Sequence, residues 1–257
     1  MSDSVHPSQP SGPAPGAEPD ASASPQPTTG APTLAEDLML LLFQPQSGLH
    51  SGTGSIAGEG TLFYVLAGAV LTDLALGGHV TTDESSRAAR VEAVADDPPT
   101  DALLRKGWEY IAQRPRGVQT VLAAIGPTLR APVLERLVER GDIERGQRKS
   151  LGLFTTDVLE GDGGERRAAL MAEVRGVLVD GAEPSPRIAA LGALLAASGT
   201  LPQFDSEIPW TTPVIERAER LKRGEWGAGA AAQAVARTTT AIVVNNVIVA
   251  AAVLPRT

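Results

Sequence analysis

Apolar residues recur at helical spacing through most of the chain beyond residue 33, with glycine and proline as the breaks. Residues 38–43 form an apolar run behind Glu36 and Asp37, and Thr33 stands where an N-cap belongs. A helix is expected there, stopped by Pro45 and Gly48. Leu62, Val65, Leu66, Ala69, Val70 and Leu74 repeat as a second helix ending at Gly77 and Gly78. Residues 80–82 and 90–94 read as strands around a polar turn. Helices and a strand pair in this order suggest a winged-helix-like layout. The ending LTDLALGGHV returns in outline at LERLVERGDI: a helix end, a glycine fit for a left-handed C-cap, then a β-branched residue.

Thr100 or Asp101 can cap a helix containing Leu103, Leu104, Trp108 and Ile111, broken at Pro115. Another helix covers 118–125. Residues 129–140 have the strongest amphipathic pattern. Val133, Leu134, Leu137 and Val138 are expected inward; Arg130, Glu135, Arg136, Glu139 and Arg140 are expected outward. Residues 150–157 read as strand, with a hairpin formed across the polar residues before them. Helices follow at 165–179 and 186–198, the second nearly all apolar and central to the core. Residues 204–213 are expected as a loop with Trp210 packed at its end, before a helix over 213–223 capped by Thr211 or Thr212. A last helix over 230–254, interrupted near 238–240, completes a mainly α fold. That fold is a single helical domain with a few short antiparallel strands, a β-hairpin and winged-helix-like sub-units.

Composition trims this picture at the start of the chain. Residues 1–32 are rich in Pro, Ser, Ala and Gly and poor in large apolar residues, so they read as a disordered tail before a domain over 33–257. They lack the basic start and continuous apolar stretch of a secretory signal. Residues 241–254 are apolar but short for a membrane span and carry Asn245 and Asn246, so they read as a buried helix. The chain has no cysteine, which excludes disulfides and thiolate chemistry and fits a cytoplasmic location. No metal-ligand spacing joins His6, His50 and His79. A net charge of −8 argues against wrapping nucleic acid.

No constellation for catalysis emerges, so the chain reads as a non-enzymatic binding protein without cofactors. Asp83 with Glu84, and Asp96 with Asp97, lie in polar loops where charges are solvated. The run GTGSIAGEG at 52–60 has no lysine for a phosphate loop and reads as a flexible surface loop. Arg130, Arg136 and Arg140, with Arg145, Arg148 and Lys149 beyond, suit an anionic ligand, because a guanidinium donates two parallel hydrogen bonds. The interleaved Glu135, Glu139 and Glu144 also suit an ordinary solvated face.

Several segments together resemble one family. They are LAEDLMLLLF, LAGAVLTDLALGGHV with Asp73 at an acidic position, DALL at 101–104, and LERLVERGDI followed by LGLF at 151–154. Their order and spacing resemble the Golgi phosphoprotein 3 family, in its actinobacterial branch, over about residues 34–254. The resemblance implies a mostly helical domain. Eukaryotic members bind phosphatidylinositol 4-phosphate at membranes and recognise cytoplasmic tails of glycosyltransferases. Their headgroup pocket uses a tryptophan and several arginines, whose positions fall near Gly58 and on Ala67, Pro127 and Arg130 here.

Only Arg130 keeps its charge, so Arg148, Arg87 or Arg90 would have to complete a headgroup site. The family's hairpin, linked to self-association, corresponds to the region of Leu151, Leu153 and Phe154. The expectation is a peripheral membrane adaptor that binds an anionic phospholipid, with a protein partner or a second copy and no nucleic acid. The alternatives are a soluble interaction module without lipid binding and a winged-helix-type regulator.

Overall fold

The structure, a computed structural model, describes residues 30–45, 54–83, 89–150, 154–226, 233 and 235–243. Its centre is α2, Leu62–Leu76, buried on nearly every side. A helix apolar all round must be enclosed. The enclosure consists of α1 (Leu34–Leu42), α3 (Ala102–Ala112), α4 (Val118–Ile125) and α7 (Pro186–Ala197). All nine residues of α1 are buried, Glu36 and Asp37 included. The expected core helix is present as α7, where residues 188–195 are buried. α5 (Arg130–Glu139) packs on α1; α6 (Gly164–Arg175) and α8 (Thr212–Lys222) complete the shell. Among the described residues no helix is long and apolar enough to cross a membrane.

The fold is mainly α, with strands in two antiparallel sheets. One has the order β1 (Phe43–Pro45), β2 (Gly54–Ile56), β7 (Phe154–Glu160), β6 (Glu144–Ser150). The other joins β3 (Val80–Asp83), β4 (Arg90–Ala93) and β5 (Arg116–Gly117). With α2 and α3, β3–β5 make the winged-helix-like sub-unit. The repeated helix–glycine–strand signal is borne out at both places. Gly78 and Gly141 each have φ +76°. At the first, His79 N–H donates to Leu74 O and Gly78 N–H to Ala75 O; at the second, Asp142 N–H donates to Leu137 O and Gly141 N–H to Val138 O. Both are Schellman caps, which satisfy carbonyls that the helix ends leave free.

Several expectations need correction. Residues 43–45 are strand rather than a helix end. The run expected as a flexible loop contains β2, a middle strand of its sheet. A Cβ on Gly54 would lie 2.0 Å from the Phe43 ring, so glycine there lets that ring cover the sheet. The hairpin's first strand is β6, whose alternation is polar and therefore silent in a search for apolar periodicity. Leu151 and Leu153 lie outside the described residues, and Phe154 opens β7 opposite Ser150.

The helix expected over 165–179 gives way to a π-helical turn at Gly176–Asp180. Residues 201–204 form a 3-10 turn whose Phe204 is buried. Trp210 is 42% exposed rather than packed. The last helical stretch runs uninterrupted over 235–243, with the Thr239 hydroxyl donating to Val235 O at 2.9 Å. It meets α2 at Gly68, where a Cβ would lie 2.7 Å from Ile242. Residues 244–254 lie outside the described residues.

Candidate functional site

Arg130 is the first residue of α5, just after a 3-10 turn, Gly126–Thr128. That turn lies hard against the start of α2: a Cβ on Gly126 would sit 2.5 Å from Phe63 O. Beside it Phe63 and Tyr64 stack at 4.0 Å, both half-buried. Arg130 Nε donates to Glu59 Oε1 at 2.7 Å, and both side chains are about half exposed. Glu59 is held in place by its neighbours. Gly58, at φ +69°, approaches Thr200, and Thr61 Oγ1 donates to Ser198 O at 3.3 Å. A braced loop thus presents a carboxylate where Arg130 would meet an anion.

The other arginines of α5 do not belong to this surface. Arg136 and Arg140, expected outward, turn toward α1. Arg140 Nε donates to Glu36 Oε1 at 2.6 Å, and Arg136 reaches Glu36 at 3.4 Å and Asp101 at 2.6 Å. Glu36 is fully buried, and its carboxylate also accepts Thr33 N–H at 2.8 Å in a capping box. Burial alone would raise its pKa, but the Thr33 N–H and Arg140 outweigh that and hold the carboxyl below its ordinary value. The same balance lowers Asp101, where Arg136 outweighs burial.

Asp37 pairs with Arg166 at 2.6 Å and with Arg187 at 2.5 Å, and Arg166 also pairs with Asp142. Arg187 reaches Asp73 at 3.0 Å, and Asp73 accepts the Leu34 N–H as well. Burial dominates at Asp73 and pushes its carboxyl up to about 6 despite Arg187. Burial likewise raises Asp142. Arg140 and Arg187 also donate to the carbonyls of Gly30 (2.6 Å) and Pro32 (2.9 Å), which ties the approach to α1 into the cluster.

This network is structural, and sequence reading missed it by taking Glu36 and Asp37 only as first-turn acids of a capped helix. A signal was present: both lie in an otherwise apolar run, as does Asp73 in LTDLAL. A charge inside an enclosed helix must be paired.

Among the described residues no hydrogen bond or ion pair joins Arg90 to Arg130. Arg90 lies on β4 opposite Gly117, the N-cap of α4, and donates to Pro115 O at 2.8 Å. Arg130 lies past the other end of that eight-residue helix, about 12 Å along the axis. Arg148 stands on β6 opposite Thr156. Arg87 lies outside the described residues. Of the positions brought in by resemblance, Gly58 and Arg130 come together through Glu59. Ala67 is buried inside α2, and Pro127 is exposed in the 3-10 turn.

No curated protein gives a significant match to the chain. The sequence model of the family described as Golgi phosphoprotein 3 (GPP34) matches residues 34–238, from the first residue of α1 into the last described helical stretch. That span contains α1–α8, both sheets, the buried ion-pair cluster and the Arg130 surface. The chain therefore belongs to the Golgi phosphoprotein 3 (GPP34) family.

Proposed function

We propose that the protein is a non-enzymatic peripheral membrane adaptor that binds anionic phospholipid through Arg130. The observation that carries this reading is the pairing of Arg130 with Glu59. It brings Arg130 beside Gly58, near which the family resemblance places the pocket's tryptophan, on an open surface. The arginine is already neutralised, so a lipid phosphate has to displace Glu59. A phosphomonoester needs several charge-assisted bonds to offset its desolvation, and a single competed arginine supplies few. Binding is therefore modest and weakly selective among headgroups, phosphatidylinositol 4-phosphate included.

The winged-helix alternative loses support. α2, which would have to serve as the recognition helix, carries no Lys or Arg and is mostly buried. The decisive experiment is vesicle flotation with phosphatidylinositol 4-phosphate and with bacterial-type anionic lipids, at low and raised salt. Binding that fades with salt and falls in Arg130→Ala supports the adaptor reading. Absence of binding to every anionic vesicle at low salt removes it and leaves a protein-only interaction module.

A further inference from the structure

Four described arginines of the winged sub-unit, Arg90, Arg105, Arg114 and Arg116, have no carboxylate partner among the described residues, and three of them lie around Pro115. Arg90 Nη2 donates to Pro115 O at 2.8 Å. Arg116 lies 3.9 Å over the Tyr110 ring, with Nε donating to Tyr110 O at 2.9 Å and Nη2 to Gln113 Oε1 at 3.0 Å. Arg114 is exposed. Pro115 thus has Arg114 and Arg116 as chain neighbours and the Arg90 guanidinium on its carbonyl. Across the β3–β4 ladder Arg90 faces Asp83, and its guanidinium is directed to Pro115 O. Neutral acceptors fix two of these guanidiniums without cancelling their charge, and the aromatic face under Arg116 holds it flat. Fixed, uncompensated cations on an open surface suit an array of phosphates better than a single small anion.

We infer that Arg90, Arg114 and Arg116 form a second membrane contact, which meets the phosphates of an anionic bilayer independently of Arg130. This rests on the adaptor reading for its partner but not for its residues. Each basic group close to such a surface strengthens partition about fivefold at low ionic strength. Unlike a headgroup pocket, the patch follows the surface charge of the bilayer rather than the identity of the lipid.

The test uses the full chain with vesicles of phosphatidylcholine alone and of phosphatidylcholine mixed with phosphatidylglycerol. The variants are Arg114→Gln, the triple Arg90→Gln/Arg114→Gln/Arg116→Gln, and Arg130→Ala. Arg114→Gln guards against misfolding, since it breaks no side-chain bond among the described residues. The expected result is about fivefold weaker partition for Arg114→Gln, a larger loss for the triple, and losses that multiply with that of Arg130→Ala.

If the parent binds and Arg130→Ala weakens it while the patch variants match the parent, the inference fails and the adaptor reading stands. If the patch variants lose binding and Arg130→Ala does not, the patch stands and the Arg130 site fails. Parent protein that ignores both vesicle types overturns both. A poly-glutamate peptide that binds through these arginines, with no vesicle binding, also overturns the inference and reassigns the patch to acidic proteins.

Discussion

The two ends of α5 carry the same residue type in opposite circumstances. Arg130, at its start, is 49% exposed and pairs with an exposed carboxylate. Arg140, at its close, has a side chain 15% exposed and pairs with a carboxylate at 0%. Ten residues apart, one arginine is available to a ligand and the other is committed to the fold. Helical spacing does not explain the difference. α1 does, because its short apolar run buries Glu36 and leaves it needing cations, and α5 is the helix laid across it. The lesson is that a basic helix is read correctly only after its buried acidic partners are found.

The sharpest way to break the comparison is Arg140→Ala. It leaves Glu36 buried with its Thr33 bonds and, as its remaining cation, Arg136 at 3.4 Å, and losing one member of a buried pair costs about 3 kcal/mol or more. Urea unfolding should show a large drop in midpoint with an unchanged slope. A loss under about 1 kcal/mol, the range of a surface pair, would mean that the two ends of α5 do not differ.

Asp73 tests the same cluster through pH. Its carboxyl is pushed up to about 6 from an ordinary 3.8. The folded state thus holds this proton more tightly than the unfolded state. The stability this contributes is complete below about pH 4 and is lost as pH rises through 6. Asp142, also raised, acts in the same sense, while Glu36 and Asp101, both lowered, contribute stability that is lost as pH falls. Asp73→Asn removes one falling component and can still accept the Leu34 N–H. Its stability relative to the parent should therefore rise by roughly 2 kcal/mol between pH 4 and pH 7. Parallel curves for the two proteins across that window would show that Asp73 does not titrate there.

A smaller effect comes from the two matched caps. Gly78 and Gly141 both hold φ +76° with nothing within 4 Å of a built Cβ. Alanine at either is penalised by backbone conformation alone, about 1 kcal/mol and similar at the two sites. A clear inequality between Gly78→Ala and Gly141→Ala in thermal melts would show that one cap is doing more than ending its helix.

These caps were legible in the sequence because left-handed glycine after an amphipathic helix is a local signal. So were the Thr33 and Asp101 N-caps and the central position of α7. Features made by distant parts of the chain were not legible. β2 depends on the Phe43 ring lying over Gly54, and the inward turn of Arg136 and Arg140 depends on Glu36 across the interface. The candidate site divides in the same way. Arg130 was visible as a residue, but its masking by Glu59, seventy-one positions earlier, exists only in the folded chain.

That masking gives the finest test of the contrast. Arg130→Ala should leave stability within about 0.5 kcal/mol of the parent, since a half-exposed pair in water contributes little. Its effect belongs to binding: partition onto anionic vesicles should fall. Glu59→Gln removes the competing charge while keeping a side chain of similar shape, so it should raise partition at low salt, again with little change in stability. Opposite signs from two partners of one ion pair would not arise if the pair were merely structural, because both substitutions would then act through unfolding. Combining the two should give the Arg130→Ala result, as Glu59 has nothing left to mask. If Glu59→Gln binds no better than the parent while Arg130→Ala binds worse, the lipid phosphate meets Arg130 without displacing Glu59. If neither changes partition, the exposed end of α5 is as uninvolved in ligand binding as the buried end.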